Sequence, residues 1–210
     1  LRGLDPGRRY RLAPLGPRGT GQLLAPEWDV LYAYLSETGK YLVAGINADA
    51  RTELRMFEAQ GMRAVELPEM PDAEITSVSI SPDESRMAFY ASASRVPRDL
   101  FVTAIQNGEP RQLTDTLNPV INAEDLVDAE VVRFKSYDDL EIPGVLYKPH
   151  QASADNKVPA LVYVHGGPGG QSTRGYNALR QHLVNHGYAL LAANNRGSEG
   201  YGKTFFHMDD

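Results

Sequence analysis

The chain has no cysteine, which excludes disulfides and thiolate chemistry and is compatible with any compartment. Long apolar runs are missing too. Ala189-Leu190-Leu191-Ala192-Ala193 is typical of the longest, far short of the roughly 20 residues a spanning helix needs, so no membrane partner is expected. No signal-peptide pattern is visible, and the localisation stays unknown. Dense Lys/Arg blocks are absent, and 27 acidic against 21 basic residues give a net charge of −6, which argues against a nucleic-acid partner. No serine sits in a G-x-S-x-G nucleophile elbow. Ser198 has Arg196 where the first glycine belongs, and Ser172 has Arg174 where the second belongs. His182 and His186 lie four apart, but residue 183 is Leu. They therefore read as helix-surface histidines rather than as a His-Glu-x-x-His zinc site. Asp138-Asp139 and Asp209-Asp210 read as a turn and a solvated end. No metal or cofactor is expected.

What is present falls into two parts. Short apolar runs punctuated by turn residues fill the first: Asp29–Leu35, Tyr41–Ile46, Leu54–Glu58, Ile75–Ile80, Met87–Ala91 and Leu100–Ile105. Ser36-Glu37-Thr38-Gly39-Lys40-Tyr41 is paralleled by Ser81-Pro82-Asp83-Glu84-Ser85-Arg86, at an offset of 81 − 36 = 45 residues. That is about the length of a four-stranded propeller blade. We read residues 1–127 as a partial, all-β propeller of about two blades plus remnants.

From about residue 128 the pattern changes. Val131–Lys135 and Leu140–Tyr147 flank Asp138-Asp139 as a hairpin. Ala160–Val164 predicts a strand covered on both faces. Ser172 or Thr173 is placed to cap a helix in which Tyr176, Leu179 and Leu183 fall at i, i+3 and i+7, with Gly187 as its stop. Tyr188–Ala193 predicts the next buried strand. Strand, loop, helix and strand form a βαβ unit, so residues 128–210 read as a parallel α/β sheet. The chain begins at Leu1 rather than methionine and ends six residues past Thr204, a possible helix start. The expectation is an internal piece of a longer protein.

The chemistry concentrates in two glycine loops. His165-Gly166-Gly167-Pro168-Gly169-Gly170 follows the strand at 160–164 and offers bare backbone N–H groups to negative charge, either a bound phosphate or a reaction oxyanion. Pro168 is expected to hold Gly167 toward extended backbone. Gly197-Ser198-Glu199-Gly200-Tyr201-Gly202-Lys203-Thr204 matches the phosphate loop G-x-x-x-x-G-K-[ST]. Against that reading stand three residues between strand and first glycine, the carboxylate of Glu199 within the loop, and a weak helix start at Phe205-Phe206-His207.

Taken together, Val158–Pro168 and Asn195–Gly202 resemble the prolyl oligopeptidase family of serine peptidases, in its acylaminoacyl peptidase and dipeptidyl aminopeptidase-like branch. Val132–Ser136 through Leu146–Pro149 resembles the entry into that family's catalytic domain. The Ser-Pro-Asp stretch and Gln112-Leu113-Thr114 resemble its propeller blades. The resemblance implies that residues 128–210 are the N-terminal part of an α/β-hydrolase catalytic domain, truncated before its nucleophile and following the propeller. It implies cleavage of short peptides through an acyl-enzyme by a Ser-Asp-His triad lying later in the chain order than Asp210, so this piece alone is expected to be inactive. It also implies that the backbone N–H of Gly167 is an oxyanion donor. A family branch with a tyrosine donor carries it where this chain has His165, whose own role is left open. The family usually has Asp-Gly where this chain has Asp138-Asp139, a difference of turn geometry. The rivals are a nucleotide-binding protein using Gly197–Thr204 and a non-catalytic propeller scaffold.

Overall fold

A computed structural model describes residue 26 and residues 28–167 and 169–209. Most of the expected first part lies within this range; residues 1–25, Glu27, Pro168 and Asp210 lie outside it. Among the described residues, no helix is long and apolar enough to cross a membrane.

The repeated pattern folds into two four-stranded antiparallel sheets. One is built from β1 (Val30–Leu35), β2 (Tyr41–Asn47), β3 (Thr52–Glu58) and β4 (Arg63–Ala64) in that spatial order. The other is built from β5 (Glu74–Ile80), β6 (Arg86–Ala93), β7 (Val96–Ala104) and β8 (Arg111–Gln112), again in sequence order. All six runs read from the sequence are strands, and β4 and β8 are added at the outer edges. The two related turns close in the same way. Gly39 N–H donates to Ser36 O at 2.9 Å, and Glu84 N–H to Ser81 O at 2.8 Å. Gly39 has φ +78°, and Glu84, its counterpart, φ +54°. A non-glycine residue is uncommon there. The Glu84 carboxylate accepts from Thr38 N–H (3.1 Å) and Thr38 Oγ1 (2.8 Å), so the strained residue of one turn ties the two turns together. Hydrogen bonds from Ser36 and Thr38 hold that carboxyl below its ordinary range.

The two sheets share one core, in which Tyr41, Val43 and Met56 meet Ile75, Val78, Met87 and Phe89. Alternation explains which residues enter it. β2 is buried along its whole length because its other face, with Ala44 and Ile46, packs with Val30 under Trp28. Phe89 is fully buried and stacks on Phe101 at 5.6 Å between ring centroids. Phe89→Ala is expected to destabilise this region by about 3–5 kcal/mol, the usual result of emptying an aromatic core site. The check is a lowered denaturant midpoint for unfolding.

The rest of the chain forms a third sheet from β9 (Ala129–Lys135), β10 (Glu141–Tyr147), β11 (Ala160–Val164) and β12 (Ala189–Ala193), ordered β11-β12-β10-β9. The helix α1 (Ala178–Asn185) joins β11 to β12, which pair in parallel, as a βαβ unit requires. The sheet as a whole is mixed rather than parallel, because β10 runs antiparallel to both β9 and β12.

Three further expectations change. Among the described residues β11 lies at the edge of the sheet, with Val162 and Val164 exposed by 68% and 57%, so the expected cover on both faces is not seen within them. The helix is capped neither by Ser172 nor by Thr173. It starts later, where the side chain of Asn177 accepts from Arg180 N–H at 3.0 Å. With that start the inward face becomes Arg180, Gln181 and Val184, while Leu179 is exposed and Tyr176 precedes the helix. The stop is as expected, with Gly187 at φ +88° and its N–H donating to Val184 O.

The segment before α1 runs along a seam between the antiparallel sheets and the mixed sheet. Arg174 N–H donates to Ala50 O (2.9 Å), Ser94 Oγ to Arg174 O (3.0 Å) and Tyr176 N–H to Ser92 Oγ (3.0 Å). The buried side chain of Gln181 donates to the carbonyls of Ser94 and Val127 and accepts from Val127 N–H. Every polar atom of that amide therefore has a partner, as burial demands.

Candidate functional site

Both glycine loops leave the same end of the parallel pair, the first after β11 and the second after β12. Open sheets bind ligands at this carboxyl end. In the first loop Gly167 has φ +142°. The expectation that Pro168 holds it in ordinary extended backbone is overturned. That restriction acts largely through a Cβ, which glycine lacks, so Gly167 takes a mirror-image conformation that L side chains rarely adopt. Space is short as well. A Cβ on Gly167 would lie 2.8 Å from Gly170 N, one on Gly169 2.6 Å from the Phe206 ring, and one on Gly170 2.7 Å from Gly166 O. Gly167 and Gly170 are thus required by how tightly the loop is wound, whereas Gly166 faces open space. Gly166 and Gly167 are exposed, and among the described residues no hydrogen bond uses the N–H of either.

His165 links the two loops. Its Nε2 lies 2.8 Å from Ser198 Oγ, and its Nδ1 lies 3.1 Å from Gly166 O. Ser198 has one hydroxyl proton, and its Oγ lies 2.6 Å from Asn195 O. Gly166 O can only accept, so the direction of the Nε2–Ser198 contact is set by the protonation of the His165 ring. Ser198 is fully buried, and its Oγ ties His165 to Asn195 O. This agrees with its failure as a nucleophile elbow.

Around this link the second loop is fixed by amides. Asn194, at 0% exposure, accepts from Ser172 N–H (2.7 Å) and donates to Ser172 O (3.0 Å) and Tyr201 Oη (2.8 Å). Burial pushes the Tyr201 hydroxyl pKa up. Arg196 donates to Ser136 Oγ and Asp138, and lies 5.1 Å over the Tyr137 ring. The Asp138-Asp139 turn, with Asp139 at φ +63°, is thereby anchored to the second loop. Spacing marks neither the contact of His165 with Ser198 nor those of Asn194 with Ser172 and Tyr201; the Asn194-Asn195 doublet closing an apolar strand is the one visible signal.

The phosphate-loop reading of Gly197–Thr204 fails on its hydrogen bonds. A phosphate cradle needs free N–H groups. Gly197 N–H donates to Phe205 O, Ser198 N–H to Asn195 O, Glu199 N–H to Gly170 O and Gly202 N–H to Asp29 Oδ2. The helix that follows, α2 (Lys203–Phe206), is a single turn. His182 and His186 stand exposed on α1 with ring centroids 4.2 Å apart, His186 Nδ1 donating to His182 O.

No family model matches the chain, but individual proteins do. The uncharacterised peptidase YuxL of Bacillus subtilis (strain 168) is 32% identical over 132 residues, covering 62% of this chain and 20% of that protein. Dipeptidyl aminopeptidase BIII of Pseudoxanthomonas mexicana is 38% identical over 93 residues, 41% of this chain and 14% of that protein. The chain thus spans a fifth or less of the length of these relatives. Among solved structures, a puromycin-hydrolysing peptidase of Mycobacterium tuberculosis superposes on 95% of this chain and 32% of its own, with a TM-score of 0.78 at 19% identity. These sequence relatives and this shared fold support the likeness of the chain to the prolyl oligopeptidase family.

Proposed function

We propose that the chain is part of a serine-type peptidase that hydrolyses short peptides through an acyl-enzyme, and that Gly167 supplies one oxyanion donor. The observation that carries this is the exposed N–H of Gly167, without a hydrogen-bond acceptor among the described residues and held at φ +142° where a Cβ would lie 2.8 Å from Gly170 N. Attack of a serine Oγ on a peptide carbonyl moves the π pair onto oxygen. A donor already aimed there stabilises that charge without reorganising. Collapse of the tetrahedral intermediate expels the amine, and water then releases the acid from the acyl-enzyme. In this reading residues 1–127 are propeller blades, residues 128–210 open the α/β-hydrolase domain, and the Ser-Asp-His triad follows Asp210.

The test is peptide hydrolysis by the full-length protein with an initial burst, together with labelling by a serine-directed phosphonate. The expected label lies on a serine outside these 210 residues, and the isolated chain is expected to show no turnover. Turnover by the isolated chain would overturn the triad placement. Absent labelling, with ATP binding lost in Lys203→Ala, would overturn the peptidase reading.

A further inference from the structure

A polar cleft of about 430 Å³ lies between the second antiparallel sheet and the start of α1, lined by Glu74, Arg98, Gln171, Thr173, Tyr176 and Arg180 among others. It opens next to the glycine loop, since Gln171 directly follows Gly170. Arg180 is 7% exposed. Its Nη1 donates to Thr173 O (3.2 Å) and its Nη2 to Ser172 Oγ (3.0 Å). The guanidinium lies 5.1 Å over Tyr163 and 5.8 Å over Tyr147. Its Nε is buried without a hydrogen-bond partner, and among the described residues no carboxylate forms an ion pair with it within 4.0 Å.

A guanidinium does not neutralise itself by losing a proton. Carbonyl, hydroxyl and ring-face partners hold it without cancelling its charge, so burial leaves a demand for an anion. Glu74 brings the one carboxyl among the residues lining the cleft and accepts from Thr173 Oγ1 at 3.1 Å. Burial raises its pKa, which weakens it further as a counter-charge. Arg98, exposed on the rim, donates to Ser77 Oγ (2.7 Å) and lies 4.5 Å over Tyr90. Two guanidiniums therefore face one carboxyl, leaving a surplus positive charge in a space that suits the end of a peptide. We infer that this cleft is a carboxylate subsite that takes the C-terminus of a short peptide, with Arg180 as its inner and Arg98 as its outer partner. Only the choice of a peptide as carrier rests on the proposed peptidase function.

Calorimetry on the full-length protein tests this with N-acetyl-trialanine, its C-terminal amide, and an amidated N-acetyl tripeptide bearing one internal Asp. The free acid is expected to bind at least about tenfold tighter than the amide, as a charged hydrogen-bond partner implies, and the Asp peptide to bind like the amide. Arg180→Gln should abolish the preference. Arg98→Gln, a surface change that leaves folding intact, should reduce it, and Glu74→Gln should enlarge it. Equal affinity for acid and amide, or a preference unchanged in Arg98→Gln and Arg180→Gln, overturns the subsite; an Asp peptide that binds like the acid overturns its assignment to chain termini. Hydrolysis without acid preference removes the subsite alone, and acid preference without hydrolysis removes the peptidase reading alone.

Discussion

Replacing Gly167 by alanine in the full-length protein is expected to lower kcat about 10²–10³-fold with a small change in KM, the usual loss when one oxyanion donor is withdrawn. Alanine keeps the N–H, so the loss comes from geometry. At φ +142° an L side chain is strained, and its Cβ would lie 2.8 Å from Gly170 N and 3.2 Å from Gly169 N. Relief requires the peptide to rotate, which turns the N–H away from the position it would present to the carbonyl oxygen. Proline deletes the donor as well, but its fixed negative φ forces a larger rearrangement, so alanine is the cleaner probe. The donor acts on charge that exists only as the reaction proceeds, so ground-state binding should change little. Steady-state kinetics on a short peptide decides the matter: an unchanged kcat removes Gly167 from the oxyanion role.

What the sequence reveals of this molecule follows the range of each interaction. Alternating residues mark a strand such as β6 because one face of it is core, as Met87, Phe89 and Ala91 show, whereas β2 is buried on both faces. The strands β4 and β8, two residues each, are too short to carry any period. The parallel turns at Ser36 and Ser81 are legible as local chemistry, yet the contact between Glu84 and Thr38 that joins them spans 46 residues and leaves no trace in spacing. The helix starts later than the cap by type at Ser172 suggests, because Ser172 is held by Asn194 and Arg180. The apolar content of β11 predicts burial, but among the described residues its place at the sheet edge decides its exposure. The phosphate-loop match illustrates the same limit in reverse. Its glycines are real and adopt positive φ at 197, 200 and 202, but tertiary partners occupy the N–H groups the motif would offer.

His165→Ala is the second large effect expected, a loss of about 10²-fold in kcat from misplacing the oxyanion loop by an ångström or so. His165 is a positioning residue: its Nε2 reaches Ser198 Oγ, not the reacting carbonyl, and Ser198 passes the tie on to Asn195 O. Ser198→Ala removes the same tie from the other side, and it does so inside a loop that Asn194 and Gly202 hold independently. Both variants should therefore fold with near-unchanged thermal stability while losing kcat. The double variant separates positioning from general damage. If the pair works as one link, the double variant should be no slower than the worse single variant, because contacts within one network are not additive. Losses that multiply would mean that His165 serves catalysis by some route other than Ser198. Gly167→Ala adds the final constraint. It disturbs the loop downstream of the His165 link, so combining it with His165→Ala should cost little beyond Gly167→Ala alone, provided the histidine acts by aiming that N–H.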